Sequence, residues 1–238
     1  MKKNRIFMMA FAAMLSVGVV SCSMKSNDNG SGNGGNSGGG NTTVEWIDLG
    51  LPSGLLWNSC NLGATSPEEY GNYYAWGETT MKEVYDWSTY AYGNDYYALT
   101  KYCNDARKGL NGFTDNLTIL EAMDDAATAA LGNDARTPTK EEWEELINNT
   151  TVEWTTQNGT KGRKFTSTAN GNTLFLPAAG GRNGSRLENA GSYGYFWSSS
   201  LDTDNSSSAW FFIFDSGQQV MRFDSRDAGG SVRAVRQN

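Results

Sequence analysis

Arg136-Thr137-Pro138-Thr139-Lys140-Glu141-Glu142-Trp143-Glu144-Glu145-Leu146-Ile147 carries the clearest helical period in this chain, and the sequence after it changes period. Thr139 and Glu142 have the spacing of a capping box, in which hydroxyl and carboxylate each take a backbone N–H of the first turn. Glu141 and Glu142 place negative charge where the helix dipole favours it. Trp143, Leu146 and Ile147 fall at i, i+3 and i+4 and make one apolar face. Beyond this stretch the period becomes two. Residues 152–157 and 162–167 flank Asn158-Gly159, the pair favoured by a type I′ hairpin turn. A second such pair, Asn170-Gly171, leads into a strand at 173–176. Residues 195–200, 209–214, 218–223 and 231–236 read as further strands. A helix followed by a run of strands predicts an α+β domain.

Upstream, residues 44–48 and 55–58 read as two strands around the turn Leu51-Pro52-Ser53-Gly54, because Pro and Gly punctuate there. Residues 70–112 hold nine of the eleven tyrosines with no clean period, which predicts long ordered loops. Residues 124–131 read as a short Ala-rich helix with an Asp N-cap.

The first 43 residues are of a different kind. Lys2, Lys3 and Arg5 precede a mostly apolar run from residue 6 to 20, the pattern of a secretory signal over residues 1–21. The run ends in Val19-Val20-Ser21-Cys22, which resembles the lipobox of bacterial lipoproteins. That resemblance implies lipidation of Cys22 and an anchor in the cell envelope, on the outer membrane and facing the cell surface. Residues 22–43 are rich in Gly, Ser and Asn and read as a flexible tether reaching roughly 25 Å. The folded domain is expected over residues 44–238. The chain has 19 basic and 26 acidic residues, so removing Lys2, Lys3 and Arg5 leaves 16 against 26, a net charge of −10. Such a balance argues against nucleic acid and leaves the lipid anchor as the contact with membrane. The chain has no His, which excludes Ser-His-Asp and Cys-His catalysis. Cys60 and Cys103 are a possible disulfide outside the cytoplasm, or two separate thiols.

The motifs LPSGLLW (51–57), YYAWGE (73–78), RTPTKEEWEEL (136–146), LFLPAAGGRNG (174–184), AGSYGYFWSSS (190–200) and GGSVRAVR (229–236) resemble the Fibrobacter succinogenes major paralogous domain, common in lipoproteins of Bacteroidetes. The capped helix and the closing SVRAVR are also similar to the formylglycine-generating-enzyme type of C-type lectin-like fold. The resemblance implies two short helices, a compact antiparallel sheet, terminal strands meeting in the core and long ordered loops. It also implies that the loops and the strand before the closing strand form a recognition surface. Enzymes of that fold need a late cysteine pair, and this chain has no Cys after Cys103.

The expected ligand residues are therefore Gln218, Arg222, Asp224, Arg226 and Asp227, read as surface positions, with Tyr92 and Tyr96 from the aromatic loop. Trp57, Trp76, Trp143 and Trp197 are assigned to the core. Asp202 and Asp204 offer oxygens at alternate positions, as a calcium loop would, against the plainer reading of a polar turn. No other cofactor is expected. The acidic neighbours Asp124 and Asp125 read as capping and core-edge groups, because adjacent residues rarely face each other across a substrate. These features point to a non-catalytic binding module for a glycan or a protein met outside the cytoplasm. A glycan-active enzyme using carboxylates and a structural subunit of an envelope assembly are the alternatives.

Overall fold

A computed structural model describes residues 45–238. The signal segment, Cys22 and the Gly/Ser/Asn-rich tether lie outside the described residues. Strands β1 (Trp46–Asp48) and β2 (Leu56–Asn58) pair antiparallel across the expected turn, closed by Gly54 N–H donating to the Leu51 carbonyl at 2.9 Å. Helix α1 (Ala126–Leu131) and strand β3 (Ala135–Arg136) precede helix α2 (Lys140–Asn148). The remaining strands are β4 (Thr150–Gln157), β5 (Thr160–Ser167), β6 (Thr173–Pro177), β7 (Gly181–Asn183), β8 (Arg186–Glu188), β9 (Gly194–Leu201), β10 (Ser208–Phe214), β11 (Gln219–Ser225) and β12 (Val235–Arg236). Residues 59–121 form long loops with short 3-10 turns and isolated bridges. Two α-helices and many antiparallel strands in small sheets make this an α+β domain.

The strands form four sheets, ordered β1-β2-β12-β3, β11-β10-β9, β4-β5-β6 and β7-β8. The first sheet joins the two ends of the domain, since β12 lies between β2 and β3. The β4–β5 hairpin turns at Asn158 (φ 46°) and Gly159 (φ 86°), both in the left-handed region that the type I′ turn requires. The expected closing strand over 231–236 is regular for two residues only. Its first part changes partner: Ser231 bridges Phe196 in parallel, while the Val232 and Ala234 carbonyls accept from Leu62 and Asn58. Strands β3, β7 and β8 were not expected. At two or three residues they are too short to show a period.

The continuous apolar run of β10 explains how the core is divided. Alternation sends Phe212 and Phe214 to one side, against Trp57, Trp143, Leu146, Phe165 and Phe196. It sends Ala209 and Phe211 to the other, against Trp76, Tyr102, Leu131, Trp197 and Val232. A strand buried on both faces has no polar side to show. Trp143 is fully buried, stacks on Phe212 at 4.9 Å and donates through Nε1 to the Trp197 carbonyl at 3.2 Å. The capping box is complete: Thr139 Oγ1 accepts from the Glu142 N–H and Glu142 Oε2 from the Thr139 N–H. Helix α2 therefore begins at its cap and packs its indole into the layer of Trp57, Phe196 and Phe212.

Candidate functional site

A cleft of about 380 Å³ opens between the β7–β8 hairpin, the start of β9 and the loop from β11 to β12. Its walls carry Arg182, Asn183, Glu188, Asn189, Tyr195, Phe211, Asp224 and Asp227. The sheet register places Asp224 there. Asp224 stands opposite Ala209 and Arg222 opposite Phe211, so both share the face of Phe211, Ile213 and Tyr195. The hairpin is held over the loop by a two-way bridge, with Arg182 N–H donating to the Gly229 carbonyl and Gly229 N–H to the Arg182 carbonyl. Only Gly fits at 229, since a Cβ there would meet the Tyr85 ring at 2.8 Å and Arg182 Cβ at 2.9 Å.

The cleft carries charges of both signs. The Arg182 guanidinium sits 5.3 Å from the Tyr73 ring. Asn189 Nδ2 donates to Tyr195 Oη at 3.1 Å, and Asp224 and Glu188 both act on that phenol. The Tyr195 pKa is raised, first by burial and then by neighbours that include these two carboxylates. Asp227 is nine-tenths buried; burial pushes its pKa up, Asp224 adds to this, and the Ser225 hydroxyl donating to it opposes the shift. Among the described residues no salt bridge involves Arg182, Glu188, Asp224 or Asp227. Two other grooves, of about 540 Å³ beside β1 and β6 and about 520 Å³ beside Glu68 and Asn158, carry acidic groups and no basic side chain.

Of the expected ligand residues, the structure brings Asp224 and Asp227 into this cleft. Gln218 lies exposed in the β10–β11 turn, and Arg222 is exposed on β11 outside the cleft lining. Arg226 is corrected. It is fully buried, because it follows the end of β11 and turns inward. Its guanidinium donates to Tyr90 Oη (2.9 Å) and to the carbonyls of Tyr102 (3.0 Å), Ser206 (2.8 Å) and Lys101 (3.0 Å). Tyr92 is corrected as well: it is half-buried and donates to Asp124 Oδ1 at 2.6 Å. Asp124 also accepts from Tyr102 Oη and Lys101 Nζ, while Asp125 caps α1 through the Ala127 N–H and takes Thr137. Tyr85 and Tyr90 are buried, whereas Tyr96 and Tyr97 are exposed and tilted against each other at 4.2 Å. The side chains that line the cleft without having been expected there include Arg182, Asn183, Glu188, Asn189, Tyr195 and Phe211. The GGRNG motif was visible in the sequence, but nothing in it signalled that the hairpin faces the β11–β12 loop.

The metal reading also changes. Among the described residues no group of three or more His, Cys, Asp or Glu side chains is placed to hold a metal ion. Asp202 is buried and its Oδ1 accepts the Asp204 N–H at 3.1 Å, the geometry of a polar turn. Cys60 and Cys103 are both free. Cys103 Sγ approaches the Asp105 carbonyl at 3.2 Å and Cys60 Sγ the Ser59 hydroxyl at 3.4 Å, so each thiol is engaged within its own segment.

Residues 151–235 match a family described as a domain of unknown function (DUF8237). The matched stretch includes every residue that lines the cleft. No curated protein and no solved structure matches the chain.

Proposed function

We propose that this chain is a lipid-anchored, extracytoplasmic binding protein whose domain has the C-type lectin-like fold and resembles the Fibrobacter succinogenes major paralogous domain. The ligand is a glycan or protein met outside the cytoplasm, and the membrane contact is the lipid at Cys22. The observation that carries this reading is the cleft before the closing strand. Its charged groups make no salt bridge among the described residues, so they are available to a ligand. Joined terminal strands, two helices and long loops support the fold assignment. The test is a glycan and protein array probed with the full chain, followed by Asp224→Ala; loss of the retained ligand supports the reading, and unchanged binding removes it. Cys22→Ala should abolish palmitate labelling and detergent-phase partitioning, and persistent labelling would sink the anchor.

One observation favours the enzyme alternative. Asp227 is a buried carboxyl with a raised pKa that lines the same cleft as the exposed Asp224, and two carboxyl groups in such unlike surroundings suit one acid and one base. Release of reducing sugar, lost in Asp227→Asn, would establish glycan hydrolysis in place of binding.

A further inference from the structure

We propose that the cleft is a docking site for a basic polypeptide segment, with a Lys or Arg side chain at Tyr195 and a main-chain carbonyl at Arg182. This deepens the binding reading and rests on it. The charge distribution is the argument. Glu188 and Asp224 act on Tyr195, Asp227 lines the same cleft, and no salt bridge among the described residues neutralises any of them. Lys82 acts on Asp227 but is already bonded to Glu78 at 2.9 Å and sits 5.6 Å from the rings of Tyr85 and Tyr90. A buried carboxylate without a counter-ion is costly, and an incoming cation relieves that cost together with the repulsion between Asp224 and Asp227. An uncharged sugar does not.

The remaining groups fit the same occupant. Tyr195 lines the cleft, backed by Tyr193 stacked on it at 5.8 Å with an interplanar angle of 15°, and offers an aromatic ring to a cationic side chain. Asn183 and Asn189 can meet peptide N–H and carbonyl groups. Arg182, beside Tyr73, presents N–H donors that suit a carbonyl or a chain-terminal carboxylate. The whole chain is acidic, at −7, which draws a basic partner in by long-range attraction.

The test uses the full chain and fluorescent hexalysine at low salt. Hexaglutamate and a neutral hexasaccharide are run beside it. The double variant Glu188→Gln/Asp224→Asn removes cleft charge from exposed positions, and Glu45→Gln/Asp134→Asn removes the same charge from exposed positions outside the cleft as a control. Both variants should melt as the parent does. Hexalysine affinity should fall at least about ten-fold in the cleft variant and less than about two-fold in the control. Arg182→Ala should weaken it by a smaller factor, about three-fold. Equal losses in the two double variants would mean diffuse charge attraction and would overturn the site. No hexalysine binding would overturn it too. Hexasaccharide binding that the cleft variant loses would overturn the peptide assignment while keeping the binding reading, and saccharide turnover would remove both.

Discussion

The Arg226 guanidinium meets three carbonyls and one phenol and no carboxylate, and its central carbon lies 5.0 Å from the Trp76 ring and 5.2 Å from the Tyr90 ring. Arg233 is held the same way, by Asn61 Oδ1 at 2.7 Å and the carbonyls of Asn58 and Ser59, and burial pushes its pKa down to about 9. Removing such a side chain strands several buried acceptors at once, each costing about 1–3 kcal/mol. Arg226→Ala is therefore expected to destabilise by more than about 3 kcal/mol, and Arg222→Ala, exposed on the neighbouring strand, by less than about 0.5 kcal/mol. Urea denaturation of the two variants measures both. The difference was not legible in the sequence, because the Tyr102 and Lys101 carbonyls lie 124 and 125 residues away. A second expectation follows from the tyrosines. Burial raises Tyr73, Tyr74, Tyr85, Tyr90, Tyr92, Tyr102 and Tyr195, with Tyr73 and Tyr90 pushed up to about 12 from an ordinary value of 10.0. A raised acid binds its proton more tightly in the folded state. Its stabilising contribution is complete below pH 10 and is lost as pH rises toward 12. Arg233, lowered by burial, acts in the opposite sense, but seven tyrosines outnumber it. Unfolding midpoints measured across this interval should fall, and the tyrosinate absorbance of these seven side chains should appear together with unfolding.

Helix α2 and the β4–β5 hairpin are the elements whose chemistry is local, and both were readable for that reason. Thr139, Glu142 and the Asn158-Gly159 pair act on their own neighbours within four residues. Thr139→Ala should cost about 1 kcal/mol through the lost cap. Trp143→Ala should cost more, about 3–5 kcal/mol, because the indole is packed between Phe212, Phe196 and Trp57. Thermal or chemical melts of the two variants give the comparison; equal losses would mean that the cap and not the aromatic contact holds the helix. The β7–β8 hairpin is the opposite case. Its six strand residues are all exposed or half-buried, and what fixes it is the bridge to Gly229. No local pattern could announce a contact made 47 residues later in the chain, and four of the cleft's residues came with it.

Across the whole molecule, the last eight residues close the domain. Val232, Arg233, Ala234 and Val235 are all buried, and β12 sits between β2 and β3. A chain ending at Gly230 is expected to lack cooperative melting, as circular dichroism would record. The α+β class was legible from the order of helix and strands, and the closing strand only in part, since Val235 and Arg236 alone pair regularly. The partition of the aromatics between core and surface was not, since Tyr85, Tyr90 and Tyr96 sit in one stretch of similar composition and only tertiary packing separates them. The two caged arginines also bear on how the domain is made. Both lie within the final thirteen residues, yet the carbonyls they gather belong to segments near residues 58–61, 101–102 and 206. The segments at 58–61 and 101–102 leave the ribosome more than a hundred residues ahead of the arginines that tie them together. The domain therefore cannot close until both arginines have emerged, however much of it has been made before.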